Sequence, residues 1–182
     1  GVKRFIYASS GSVYGIKKEK KVTENLSLKP ISLYNKAKMC TERIIKSYEN
    51  KIETFIIRPA TVCGYSPRMR FDISLNALTI SALTKKKITV FGGSQIRPNI
   101  HNNDLINVYY HFIKKPFLNS GCYNAGFENL SILEIAKKIQ KKTGCKINIT
   151  KNTNDPRSYR QSSEKLLKTD FKPEFGVDHA IK

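Results

Sequence analysis

Tyr34 and Lys38 stand four positions apart in "SLYNKAKMC", residues Ser32 to Cys40. On an α-helix that spacing puts both side chains on one face, close enough to act together. A tyrosine hydroxyl is a poor base, because its ordinary pKa is about 10. A neighbouring ammonium group stabilises the phenolate and draws that value toward neutrality. Such a pair can exchange a proton with a hydroxyl group. The spacing alone is unspecific in a chain with 33 lysines and arginines, where the plainer reading is two surface residues of a helix. A second hydroxyl, Ser10, lies 24 residues upstream in "YASSGSVYG". It can bond the oxygen on which Tyr34 acts; its plainer reading is a serine-rich turn.

These groups need elements to hold them. "VKRFIYAS" reads as a buried strand running into the serine loop. Ser32 precedes a helical stretch from about Leu33 to Tyr48. "ETFIIRPATVCG" reads as a second strand, closed by Pro59 and Gly64. Further on, "NALTISALTKK" reads as a helix. "ITVFGGSQIRPNIH" gives a strand, a Gly-Gly turn and an extended piece. "NDLINVYYHFIKK" gives a helix with Asn103 or Asp104 near its start. After the short strand "GCYNAG", Ser131 caps "ILEIAKKIQKKTG", an amphipathic helix ending at Gly144. "KINIT" is a strand, and the remainder is irregular, then helical. Strands alternating with helices predict an α/β fold with a largely parallel sheet, and the later, mixed elements predict a smaller lobe.

The net charge is +19, which raises nucleic acid as a partner. The lysines are scattered through every segment and gathered on no recognition element, so solvated faces, in a lysine-biased composition, are the reading taken. A basic cleft attracting a small diphosphate is the functional alternative. The four cysteines form no CxxC pair, so no metal site is expected. No apolar run approaches a membrane span, and unpaired thiols fit a reducing cytoplasm.

"FIYASSGSVYG", "LYNKAK" and "IIRPATVCG", in that order, resemble the extended short-chain dehydrogenase/reductase family in its nucleotide-sugar epimerase and dehydratase branch. "SPRMRFDISLNALT", "ITVFGGSQIRPNIHNNDL", "YNAG", "LSILEIAKKI" and "DPRSYR" extend the resemblance through nearly the whole chain. It implies an α/β fold with a partial Rossmann-like parallel sheet over 1–65, carrying the catalytic groups, and a smaller mixed α/β lobe over 66–182, mainly for substrate, with some segments returning to the sheet. It implies that Tyr34 is the acid/base, that Lys38 lowers its pKa and bonds the nicotinamide ribose, and that Ser10 is the catalytic hydroxyl. It places Ala60 where backbone lines the nicotinamide. Asn76 then contacts the substrate diphosphate and Arg97 clamps it, a task suited to a planar guanidinium fork. Asp155, Arg157 and Tyr159 fall in the terminal substrate motif. The arginine that many relatives carry just upstream is replaced by Asn152, with Arg157 as substitute. Arg68 and Arg70 either add to the anion site or are solvated loop residues.

The reaction implied is oxidation of a nucleotide sugar, usually at C4, by NAD. Re-reduction from the other face gives an epimer; loss of water gives a dehydratase product. Dehydratases of the family carry an Asp-Glu pair directly after the catalytic threonine, where this chain has Gly11 and Ser12. An epimerase is therefore the first reading, with a dehydratase, a ketoreductase or a non-catalytic binding module as alternatives. The family's GxxGxxG turn, whose amides hold the cofactor pyrophosphate, is absent from the ten glycines. No acidic residue for the adenosine ribose is identified, which leaves NADP beside NAD. The expectation is a C-terminal portion of a longer enzyme that alone holds NAD poorly, with an unpaired sheet edge. A homodimer through the tyrosine-bearing helix is the assembly the family implies.

Overall fold

The computed structural model describes residues 1–151 and 158–182. The chain begins with β1 (Arg4–Ala8), a 3-10 turn (Gly11–Tyr14), α1 (Leu33–Lys46), β2 (Glu53–Pro59) and β3 (Thr61–Cys63). It continues with α2 (Ser74–Lys85), β4 (Lys87–Phe91), β5 (Ile96–His101), α3 (Asn102–Lys114) and β6 (Gly121–Ala125). β7 (Glu128–Ser131), α4 (Ile132–Thr143), β8 (Lys146–Thr150) and the single turns α5 (Glu164–Leu167) and α6 (Val177–Ala180) complete it.

β-branched and aromatic residues favour extended chain in β1 and β2, and the two pair in parallel, Arg4 opposite Glu53 through Ala8 opposite Ile57. β6 joins the other side of β2, also in parallel. A second sheet has the order β3-β5-β7, and β4 pairs with β8 in a third. Phe55, Ile57, Val108, Phe112, Tyr123, Leu166 and Phe171 form the core under the first sheet. There Phe112 packs against Phe55 and Tyr123 with ring centroids 5.1 and 4.8 Å away. Leu75, Ala82, Ile88, Val90, Ile135 and Ile139 form a separate core between α2, α4 and the β4-β8 pair. α4 begins with a reciprocal cap, the Ser131 hydroxyl accepting from the Glu134 N–H and the Glu134 carboxylate from the Ser131 N–H.

The α/β reading holds, with three local corrections. The stretch 53–64 is two strands, because the chain leaves the first sheet after Pro59 and enters the second at Thr61. β1 is no buried strand but a half-exposed edge, with Phe5 42% exposed, since it pairs with β2 alone among the described residues. α3 starts at Asn102, with Asn103 and Asp104 in its first turn as read, and its cap is His101, whose Nδ1 accepts from the Asn103 N–H at 3.1 Å. Asp104 is fully buried and accepts from the Glu174 and Phe175 amides. β7, polar and four residues long, was not anticipated; it exists because it pairs antiparallel with β5. Among the described residues no helix is long and apolar enough to cross a membrane.

Candidate active site

β1 and β2 run side by side and end together, so Ser9, Ser10 and Ala60 emerge at one place, the carboxyl end of a parallel sheet. Ser10 caps the 3-10 turn: its Oγ accepts from the Ser12 N–H at 3.2 Å and lies 2.7 Å from Ser12 Oγ. The turn closes at Gly15 with φ +70°, where a side chain would collide with the Lys29 carbonyl.

Facing this turn, Ser32 caps α1 by accepting from the Asn35 N–H at 3.2 Å. Tyr34 therefore sits in the first helical turn, 58% exposed. Lys38 follows one turn later and donates to the Ala8 carbonyl at 2.7 Å. Its ammonium stands 5.6 Å from the centre of the Tyr34 ring and 4.9 Å from that of Tyr7. Strand β1 thus holds the cation behind the tyrosine. Two more side chains of α1 reach the serine turn: Asn35 Oδ1 accepts from Ser12 Oγ at 2.6 Å, and Glu42 Oε1 accepts from Ser9 Oγ at 2.5 Å. Helix and turn are laced together at three successive levels.

Beneath the turn is a buried polar network. Arg58 of β2 grips Glu42 with two hydrogen bonds, Nε to Oε1 at 2.9 Å and Nη2 to Oε2 at 2.6 Å. Its Nη1 donates to the Tyr14 hydroxyl at 2.7 Å, which donates to Asn124 Oδ1 at 2.8 Å. Burial pushes the Tyr14 phenol up to about 12, against the opposing pull of Arg58. Burial works to lower the pKa of Arg58, but its bonds to Glu42 leave it above the ordinary value. Sequence reasoning missed this pair. Its signal was a charged residue inside the apolar run "FIIRP", since a buried charge must be paired.

A cavity of about 660 Å³ opens above the turn. Its wall gathers Ser10, Tyr34, Ala60, Asn76, Arg97 and Tyr159, six of the residues singled out from the sequence, together with Arg68 and Arg70. Lys38 is not on the wall; it backs the tyrosine. Asp155 and Arg157 lie outside the described residues. Asn76 is 2% exposed and donates through Nδ2 to the Arg70 carbonyl at 2.9 Å. Arg70 is paired with Asp72 at 2.5 and 2.9 Å on the exposed rim. That bond holds the Asp72 carboxyl below the usual carboxylate value. Among the described residues no three His, Cys, Asp or Glu side chains gather as metal ligands would.

Gly11 is crowded. A Cβ there would lie 2.7 Å from Gln161 Oε1, 3.1 Å from the Pro59 carbonyl and 3.2 Å from the Tyr159 hydroxyl. Gln161 is held in place by donating Nε2 to the Arg58 carbonyl at 2.7 Å. Nothing in its sequence context pointed to that contact.

Residues 1–126 match the family described as NAD dependent epimerase/dehydratase. An uncharacterized UDP-glucose epimerase of Bacillus subtilis, YtcB, is 34% identical over 149 residues, 80% of this chain and 46% of that protein. The UDP-glucose 4-epimerase of Streptococcus mutans is 29% identical across 96% of this chain and 60% of its own length. The chain thus spans about half the length of the curated relatives it matches. Among solved structures, the UDP-glucuronic acid 4-epimerase of Bacillus cereus, in complex with UDP-glucuronic acid and NAD, superimposes with a TM-score of 0.81 at 28% identity, over 98% of this chain and 59% of that one.

Proposed function

This chain belongs to the NAD dependent epimerase/dehydratase family, and from that membership we propose that it carries the proton-transfer and substrate-binding residues of a nucleotide-sugar epimerase. The observation that carries the reading is the single cavity whose wall holds Ser10, Tyr34, Ala60, Asn76, Arg97 and Tyr159, with Lys38 behind the tyrosine.

Tyr34 takes the proton of a sugar hydroxyl and returns it. Lys38, fixed by the Ala8 carbonyl, holds its ammonium 5.6 Å from the centre of the Tyr34 ring. Ser10 holds the reacting oxygen. Arg97, with Arg68 and Arg70 nearby, supplies positive charge for a diphosphate. The residues fit the nicotinamide end of NAD: Ala60, small and buried just after β2, lines the same cavity as Tyr34 and Ser10. When bound, that cofactor accepts a hydride from the sugar carbon and gives it back.

Epimerisation is favoured over elimination because the position where dehydratases carry an acid is Gly11. A Cβ there would come within 2.7 Å of Gln161 Oε1 and 3.1 Å of the Pro59 carbonyl, so an acidic side chain could enter only by displacing them. The UDP-sugars of the relatives make a UDP-hexose the first substrate to assay. The reading extends to a cytoplasmic homodimer. Four free cysteines suit a reducing compartment, and exposed Leu33 and Ile44 on α1, with Tyr48 just beyond its end, offer an apolar face.

The test is Tyr34→Phe in the full-length protein, assayed with UDP-glucose and NAD. We expect kcat to fall by roughly 10²-fold or more with little change in KM. Full activity in that variant would sink the proton-transfer role.

A further inference from the structure

The direction of the hydrogen bonds in the serine turn follows from counting protons. Ser12 Oγ has one proton, and it goes to Asn35 Oδ1 at 2.6 Å, an amide oxygen that can only accept. In the 2.7 Å contact between Ser10 Oγ and Ser12 Oγ, Ser12 must then accept and Ser10 donate. Ser10 Oγ also receives the Ser12 N–H at 3.2 Å. A hydroxyl has one proton and two lone pairs. The proton and one lone pair of Ser10 are thus engaged inside the turn. One lone pair is left, on a residue that lines the cavity.

We propose that Ser12 and Asn35 are positioning residues that make Ser10 an acceptor toward the cavity, so that the free site prefers a sugar with a hydroxyl at the reacting carbon over the matching ketone. A hydroxyl donates to the remaining lone pair. A ketone has no proton to offer and is bonded by Ser10 only if Ser10 rotates outward and breaks its bond to Ser12. Asn35 is well anchored for this task. It is 4% exposed, its N–H is tied to Ser32 Oγ, and it directly follows Tyr34. Cooperative polarisation along the chain from Ser10 to Asn35 strengthens the inward orientation. The proposal rests on reading the cavity as a nucleotide-sugar site.

The experiment measures, by calorimetry on the full-length protein, the affinities of UDP-6-deoxyglucose and of its 4-keto counterpart. Wild type is expected to prefer the hydroxyl form. Ser12→Ala removes the inward acceptor and should cut that preference about twofold to tenfold, the range of one neutral hydrogen bond. Asn35→Ala should move it the same way, because the freed Ser12 proton turns toward Ser10. The double variant should go no further than either single, as expected of one coupled unit. Ser12→Thr, which keeps the hydroxyl, should retain the wild-type preference. An unchanged preference in Ser12→Ala overturns the proposal, and so does an equal loss of affinity for both sugars. Tyr34→Phe keeps the two readings apart: a dead Tyr34→Phe beside an unshifted Ser12→Ala removes the relay and leaves the epimerase. Failure of wild type to bind either sugar overturns the nucleotide-sugar reading and the relay with it.

Discussion

Glu42 and Arg58 have side chains only 2% and 1% exposed, so each depends on the other for its solvation. Removing one partner strands a charge in the interior, which typically costs about 3–5 kcal/mol. Glu42→Ala should therefore lower the stability by that order, read as the urea midpoint of the folded chain. Glu42→Leu combined with Arg58→Met should lose far less, because apolar replacement of a buried pair is often close to neutral. A double variant as unstable as Glu42→Ala would show that the pair is more than mutual compensation. At this scale spacing singled out Tyr34, Lys38 and Ser10, the resemblance pointed to Asn76 and Arg97, and all but Lys38 lie on one cavity wall. Glu42, Ser12, Asn35 and Gln161 were opaque because their partners lie between 16 and 103 residues away or across the helix–turn contact. Only the folded chain brings them together.

Among the elements, α3 depends on an unusual cap, the neutral imidazole of His101. Burial holds His101 below the ordinary histidine value of 6.5, with Asp104 pulling upward and His179 adding to the depression. The folded state resists a proton that the unfolded chain accepts at the ordinary value. The stability from this residue is therefore complete above 6.5 and is lost as the pH falls from there through the lower folded value. Protonation also puts a donor where the Asn103 N–H needs an acceptor. His101→Asn keeps a capping oxygen and removes the titration. The melting temperature of wild type should fall more steeply than that of the variant between about pH 7.5 and pH 5; parallel curves would refute this. Helix type and position were legible from apolar spacing and caps such as Ser32 and Ser131. Strand boundaries were less so, because 53–64 is one apolar run whose division between two sheets is decided by which strands lie alongside, not by its own residues.

Across the whole molecule, the outer side of β1 pairs with no strand among the described residues and lies beside exposed Val2 and Phe5. An open parallel edge with apolar side chains is a template for further pairing. The 182-residue chain should self-associate with rising concentration, and Phe5→Lys should suppress this in sedimentation velocity. A monomer at every concentration would argue against an adhesive edge. The passage between the sheets has a different consequence. Two stretches of chain make it side by side: the link after Pro59, and the one after Ala125. Ala60 N–H bonds the Ala125 carbonyl at 2.7 Å, and Ser163 Oγ bonds both the N–H and the carbonyl of Gly126. A Cβ on Gly126 would lie 2.5 Å from that of Ala60. Mechanically this is a doubly pinned joint, stiff against both bending and twist. The floor of the cavity then acts as a fixed jaw, and any change of its aperture falls to the rim between Ser66 and Asn76, which carries Arg68 and Arg70.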